Sequence, residues 1–142
     1  DFACYKDWNP IVIDVKGAAR TGENVLFTVR TSAKGATSKR PALISAVDPT
    51  ARYLEWTGVT LAKWFASGRH WMRADAAPCG TILKHEEEVT GFITKLMNPA
   101  QLNAAREGFN ALNGAIKRRA EQLAAQRRPE ASAATGAVRL SA

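Results

Sequence analysis

The sequence of 142 residues contains no apolar run near the roughly 20 residues that a membrane-spanning helix requires. It also lacks an opening in which basic residues precede an apolar segment, the pattern of a secretory signal. These absences predict a cytoplasmic protein without a membrane span. With 46% apolar and 23% charged residues, the composition is that of one globular domain.

Cysteine is scarce, since only Cys4 and Cys79 are present. They stand far apart, form no CxxC pair and have no histidines at the spacing of a zinc site. This pattern favours two thiols in a reducing compartment over one disulfide bridge. It gives no reason to expect a metal or another cofactor.

Aromatic residues are absent from 110–142, although positive charge is concentrated near that end of the chain. The net charge is +7, and residues 99–142 hold seven basic and three acidic residues, against 13 and 10 in residues 1–98. Surfaces that bind nucleic acid usually combine basic with aromatic side chains. We therefore interpret the charge as a solvated helix face and a basic tail, and expect no nucleic-acid partner.

What is present begins with an alternation of apolar and polar residues at period two, which is typical of strands. After a short helical segment halted at Pro10, six such stretches follow one another, at 11–16, 25–30, 39–47, 52–57, 70–76 and 81–89. Turn-length links between successive strands predict an antiparallel meander. The segment 58–67, with Trp64 and Phe65, is expected to be a loop or a short helix.

The period then becomes helical. Asn98 is a good N-cap, and Pro99 loses no hydrogen bond at the first helical position. An apolar stripe follows, formed by Leu102, Ala105, Phe109, Leu112, Ile116 and Leu123. It predicts a helix of roughly 26 residues, long enough to cross a sheet. Little side-chain bulk follows Arg128-Pro129, so we predict a domain over 1–125 and a disordered basic, Ala- and Ser-rich tail over 126–142.

The last two strands form a hairpin whose register fixes which side chains share a face. If Ala74 faces Leu83, then Met72 faces His85 and His70 faces Glu87, and all six lie on the more apolar, inward face. The histidines could be structural core residues, could orient a ligand with Glu87 fixing the tautomer of His70, could act as acid or base, or could bind a metal with Glu87. The orienting role is our preferred functional hypothesis, and we commit to no metal site.

One long helix is narrow compared with a curled sheet of six strands, so space for a ligand is expected between the two layers. The alternative is a solidly packed core. For a ligand site we select the inward residues Trp56, His70, Met72, Leu83, His85, Glu87, Phe109, Leu112, Asn113 and Ile116. Trp64 and Phe65 are candidates for a gate of this cavity, or else cap the core.

Five short motifs occur in an order that resembles a known family. They are Asp1-Phe2 with Trp8-Asn9-Pro10, Leu54-Glu55-Trp56, Gly68-Arg69-His70-Trp71-Met72, Thr81 with His85-Glu86-Glu87 and Gly91, and Gly108-Phe109-Asn110-Ala111-Leu112-Asn113 with Ile116-Lys117. Over residues 1 to about 122 the chain resembles the SRPBCC, or START-like, polyketide cyclase/dehydrase and lipid-transport-like family. The resemblance implies an α+β helix-grip fold, in which a curved antiparallel sheet wraps around a long C-terminal helix and an apolar cavity.

Three departures from the family pattern affect these expectations. The family begins with a strand and a helix before the position of Asp1, so we expect an N-terminally truncated domain with six strands and an exposed last strand. Lys6 stands where the family often has proline. No cyclase signature of arginine and tyrosine is evident, so the resemblance implies no catalysis.

The leading functional hypothesis is the binding or carrying of a hydrophobic small molecule, lipid-like or aromatic, by a monomer or homodimer. One alternative is a cyclase or dehydratase type of enzyme, a lyase or isomerase that uses His70 or His85 as general base. The other is a protein-interaction module of the chaperone-activator or ribosome-associated type, which uses the basic helix face. Many bacterial single-domain members of the family have no known ligand.

Overall fold

The computed structural model describes residues 2–31, 35–60, 62 and 64–133, and the side chains of these residues up to 127. The described elements, in chain order, are a 3-10 helix at Phe2–Cys4, α1 (Tyr5–Trp8), β1 (Val12–Lys16), β2 (Asn24–Arg30), β3 (Thr37–Asp48), β4 (Tyr53–Gly58), β5 (Ser67–Ala77), β6 (Gly80–Thr90), a second 3-10 helix at Phe92–Lys95 and α2 (Pro99–Ala133).

The six strands form one antiparallel sheet in the order β1-β2-β3-β4-β5-β6, so every strand pairs with its sequence neighbours. This confirms the predicted meander. Several strands extend beyond the predicted stretches, and the hairpin of β5 and β6 pairs over the full 11 residues of each strand.

The entry into β1 depends on Asn9, which is 5% exposed. Its Oδ1 accepts hydrogen bonds from the backbone N–H groups of Ile11, at 2.9 Å, and Val12, at 2.8 Å. Proline at position 10 disfavours helix in the preceding residue, and Asn9 indeed has extended backbone angles. The short opening helix therefore ends where the sequence predicted.

The core lies on one face of the sheet and is formed by Phe2, Val25, Phe27, Ala42 and Ile44. The ring of Phe2 packs edge-on against Phe27 at 5.5 Å and against Tyr5 at 5.2 Å between centroids. Burial raises the pKa of Tyr5 to about 12. These contacts fix the first helical residues to the sheet.

Helix α2 begins with a reciprocal cap. Gln101 N–H donates to Asn98 Oδ1 at 3.0 Å, and Asn98 N–H donates to Gln101 Oε1 at 2.9 Å. Two of the orphan N–H groups at the helix start are satisfied in this way. The predicted N-cap residue therefore has the predicted role.

Only the middle of the predicted apolar stripe of α2 is buried. Leu112 is 6% exposed, as is the neighbouring Ala115 at 3%, whereas Leu102 and Leu123 are 46% and 37% exposed. The apolar stripe is therefore continuous in the sequence, but its two ends are exposed.

The helix also continues to Ala133, past Arg128-Pro129, where we expected it to end. Residues 134–142 of the predicted tail lie outside the described residues. Within the described part of the chain, no helix is long and apolar enough to span a membrane.

Candidate functional site

The hairpin of β5 and β6 has the register that the sequence predicted. Ala74 pairs with Leu83, Met72 with His85 and His70 with Glu87. Because directly paired residues of an antiparallel sheet share a face, both histidines lie on the face that α2 covers. Their contacts with helix residues, given below, confirm this orientation.

The imidazole of His70 is stacked between two aromatic rings. Trp56, its pairing partner on β4, lies 4.0 Å away between centroids with an interplanar angle of 17°. Phe109, on α2, lies 5.3 Å away at 16°. The plane of the His70 ring is therefore fixed from both the sheet and the helix.

A chain of two hydrogen bonds connects the sheet to the helix. His70 Nε2 lies 2.5 Å from His85 Nε2, and His85 Nδ1 lies 2.6 Å from Asn113 Oδ1. An amide oxygen can only accept, so Nδ1 of His85 carries the proton and donates. Nε2 of His85 is then the acceptor, and Nε2 of His70 donates to it.

Both histidines are neutral at neutral pH. Burial and, secondarily, the charge of His85 lower the pKa of His70 to about 3. Burial also lowers the pKa of His85, although the hydrogen bond to Asn113 acts in the opposite direction. One hydrogen bond between the two Nε2 atoms requires that only one of them carries a proton, and a neutral pair meets this condition.

Glu87 does not have the role that we expected. It forms no hydrogen bond within the described part of the chain, and the hydrogen-bond partner of His70 Nε2 is His85. Its side chain instead lies over Gly68, with Oε1 3.6 Å from the place that a Cβ on this glycine would take. Burial raises the pKa of Glu87, while the positive charge of Arg40 acts against this shift.

An open cleft of about 670 Å³ lies between β6, the segment that follows it and the first turns of α2. Its apolar lining consists of Val89, Met97, Leu102, Ala105 and Phe109. Its polar lining consists of His85, Glu86, Glu87, Thr94, Arg106 and Asn110. His85 therefore lines a cleft whose helix side is largely apolar, and His70 lies behind His85 and Phe109.

This architecture is similar to that of solved protein structures. No protein-family model matches the sequence, and no curated protein is significantly similar to it. Among solved structures, ginseng major latex-like protein 151 from Panax ginseng matches with a TM-score of 0.65 and 12% identity, over 82% of this chain and 79% of that one. Ara h 8.0201 matches with a TM-score of 0.59 and 15% identity, over 81% and 78%. The chain therefore shares the helix-grip fold of these structures, an antiparallel sheet with a long C-terminal helix.

Within this helix-grip fold, the structure brings together only part of the predicted ligand site. Of the ten selected residues, His85, Glu87 and Phe109 line the cleft. Trp56, His70 and Asn113 lie directly behind them, joined by the ring stack and the hydrogen bonds. Leu112 is buried in the core, and Met72, Leu83 and Ile116 are half-buried beyond the cleft lining.

Sequence reasoning missed most of the helix side of the cleft. Positions 102, 105, 106, 109 and 110 line it and follow the 3.6-residue period of one helix face. Extending the stripe to the polar Arg106 and Asn110 would have identified this face. Val89 and Met97 gave no signal, because their position depends on the path of the segment between β6 and α2.

The candidate gate residues lie apart from this cleft. Trp64 is 76% exposed, and neither Trp64 nor Phe65 is part of the lining. Their carbonyl oxygens accept hydrogen bonds from the N–H groups of Phe92, at 3.1 Å, and Ile93, at 2.8 Å. They thus support the second 3-10 helix, which contains the cleft residue Thr94 and precedes the cleft residue Met97.

Proposed function

We propose that this chain binds or carries a hydrophobic small molecule, lipid-like or aromatic, in the cleft between β6 and α2. The observation that carries the proposal is the cleft of about 670 Å³ with its five apolar lining residues. Pockets for small molecules typically measure 300–1,000 Å³ and combine apolar walls with a few polar groups. Leu102, which is 46% exposed, gains burial only when something occupies the cleft.

The expected affinity follows from the apolar area that a ligand buries. Removing about 300 Å² of apolar surface from water contributes on the order of 7 kcal/mol before the cost of association. Without that cost, 7 kcal/mol corresponds to a dissociation constant on the order of 10 μM, so the cost of association makes the binding weaker than this. Shape and apolar area alone therefore give modest selectivity, and the polar groups at the inner end supply more.

The first prediction uses two neighbouring alanines of α2. Ala105 lines the cleft, whereas Ala104, also exposed, does not. Ala105→Trp should fill the space next to Phe109 and weaken the binding of naphthalene or 1-decanol at least tenfold, as measured by isothermal titration calorimetry. Ala104→Trp adds the same bulk to the same helix and should leave the affinity within twofold of the unsubstituted protein.

Circular dichroism and the urea midpoint of both variants check that each is folded. Absence of binding of both probes to the unsubstituted protein would contradict the proposal. Equal affinities of the two tryptophan variants would show that the probes bind outside this cleft, which would also contradict it.

A further inference from the structure

We propose that a second pocket, between α1 and α2, binds a small anion that carries a phosphate group, either inorganic phosphate or a phosphate monoester. This pocket and the cleft have no lining residue in common. The inference therefore goes beyond the proposed function and does not depend on it. It gives a role to two members of the basic cluster at 117–119, which the cleft does not use.

The pocket has a volume of about 240 Å³ and takes its lining from the two helices. Pockets for drug-sized ligands typically measure about 300–1,000 Å³, so this one suits a smaller molecule or an ion. The four lining residues from α2 follow one another at spacings of 3, 1 and 3 positions, which places them on one face of the helix. The complete lining consists of Asp7, Trp8, Ala115, Arg118, Arg119 and Gln122.

Small residues of α2 leave room for the pocket. Ala115, which is 3% exposed, is its buried lining residue. Gly114 precedes it, and a Cβ at this position would lie 3.3 Å from Nη1 of Arg118. The guanidinium of Arg118 therefore lies back over Gly114, in the direction of the helix N-terminus that long helical side chains favour. Its positive charge is thereby held close to the buried Ala115.

The wall that α1 contributes is fixed by core packing. Trp8 packs edge-on against Tyr5 with 5.1 Å between centroids, and Tyr5 packs in the same way against Phe2. Phe2 belongs to the hydrophobic core cluster. The position of α1 is therefore set before a ligand arrives, and a preformed pocket reduces the cost of binding.

The hydrogen-bonding groups of the lining favour an anion with several oxygens. Neither Arg118 nor Arg119 forms an ion pair or a hydrogen bond within the described part of the chain. The neighbouring Lys117, in contrast, is paired with Glu121 at 3.8 Å. Each guanidinium presents five N–H donors in a planar fork that matches the oxygens of a phosphate group. The amide of Gln122 adds two further donors.

Asp7 opposes this binding, because its carboxylate repels an anion in the same pocket. Two arginines and one aspartate leave a net charge of +1 on the lining. We therefore expect weak binding that decreases with added salt, with a dissociation constant on the order of 1 mM for inorganic phosphate. The opposite signs of these charges provide a test in two directions.

The test titrates inorganic phosphate and phenyl phosphate into the full chain and follows ¹H–¹⁵N NMR signals, which report millimolar binding. The solution contains about 0.1 M sodium chloride, which limits the range of charge interactions to about 10 Å. We expect the indole signal of Trp8 and the backbone signals of Arg118 and Arg119 to shift with one common dissociation constant. Signals of the cleft residue Ala105 should not shift.

Removal of a positive charge should weaken the binding only inside the pocket. Arg119→Gln removes one of the two guanidinium groups and should raise the dissociation constant about fivefold or more. Lys117→Gln removes the same charge from the same turn of α2 but lies outside the lining, so its dissociation constant should stay within about twofold. Arginine, lysine and glutamine are similarly good helix formers, and the urea midpoint of each variant checks that it is folded.

Removal of a negative charge should act in the opposite direction. Asp7→Asn abolishes the repulsion within the pocket and should lower the dissociation constant about threefold or more. Glu121→Gln removes a carboxylate that lies outside the lining and should change the dissociation constant by less than about twofold.

The outcomes decide the proposal. Binding of both probes shows recognition of the phosphate group itself, and binding of phenyl phosphate alone identifies an ester as the ligand, so either result supports it. Absence of saturable shifts with both probes would overturn it. Equal effects of Arg119→Gln and Lys117→Gln would also overturn it, because the anion would then follow the overall charge of α2. None of these results bears on the hydrophobic cleft, which the tryptophan variants at positions 104 and 105 test separately.

Discussion

At the scale of single residues, three polar side chains of the interior are connected by hydrogen bonds in sequence. His70 of β5, His85 of β6 and Asn113 of α2 come from three elements and are joined by contacts of 2.5 Å and 2.6 Å. Each donor in this hydrogen-bonded series has one acceptor. The position of every shared proton therefore follows from the amide oxygen of Asn113, at the end of the series. The cost of placing imidazoles in an apolar interior is offset in this way.

Burial of this pair predicts that acid destabilises the fold. In the unfolded chain His70 takes up a proton below about pH 6.5, whereas in the fold its pKa is lowered to about 3. Its contribution to the free energy of unfolding is therefore complete above pH 6.5 and falls as the pH is lowered towards 3. The lowered pKa of His85 also reduces the free energy of unfolding as the pH falls, whereas the raised pKa of Glu87 increases it.

Urea unfolding at pH 7 and pH 5 measures this effect. Each histidine contributes at most about 1.4 kcal/mol per pH unit below pH 6.5. His70→Phe keeps the stack and removes one of these groups, so its free energy of unfolding should fall less between the two pH values. An identical pH dependence of the two proteins would contradict this account.

At the scale of elements, the periodicity of apolar residues was sufficient to predict most of the secondary structure. Strict alternation places every second side chain on one face, and this was sufficient to predict the register of the hairpin from Ala74 and Leu83 to His70 and Glu87. Alternation does not say which of several inward side chains meet. His70 Nε2 meets His85 of the adjacent strand, although its direct pairing partner is Glu87.

Helix α2 illustrates a second limit. Its apolar stripe predicted the element and its cap, but periodicity cannot tell a side chain that packs on the sheet from one that borders open space. Leu112 is buried and Leu102 is exposed at the cleft, although both occupy the same stripe. The difference arises from where the sheet ends, which the sequence of the helix does not contain.

The cap of α2 yields a prediction at this scale. Asn98→Ala removes the oxygen that accepts from Gln101 N–H, so it should lower the free energy of unfolding by about 1 kcal/mol. Asn103 is also exposed on α2 but lies inside the helix, where alanine is the better helix former. Asn103→Ala should therefore be neutral or slightly stabilising in the same urea titration. A loss of equal size in both variants would show that the cap contributes nothing specific.

At the scale of the whole molecule, one small cluster of apolar residues holds the fold together. Phe2 links the first helical residues to Phe27 of β2, and Phe27 contacts Trp56 at 5.3 Å, next to His70. The core and the candidate site therefore belong to one continuous row of rings. The site depends on the packing of residues far away in the sequence.

Phe2→Ala tests this continuity. Phe2 is 5% exposed, so its truncation should lower the free energy of unfolding by about 3–5 kcal/mol. Ile82→Ala provides the control, because Ile82 is 55% exposed and should lose much less. The measurement is again urea unfolding at pH 7. Similar losses in the two variants would mean that Phe2 does not anchor the core.

The stack of Trp56 on His70 has an optical consequence. A positively charged imidazole in van der Waals contact with an excited indole accepts an electron and quenches its emission, whereas a neutral imidazole does so weakly. The indole of Trp56, with its centroid 4.0 Å from that of His70, therefore reports the charge of this histidine from inside the protein. In a variant in which Trp8, Trp64 and Trp71 are replaced by phenylalanine, the charge of His70 can be followed without attaching a dye.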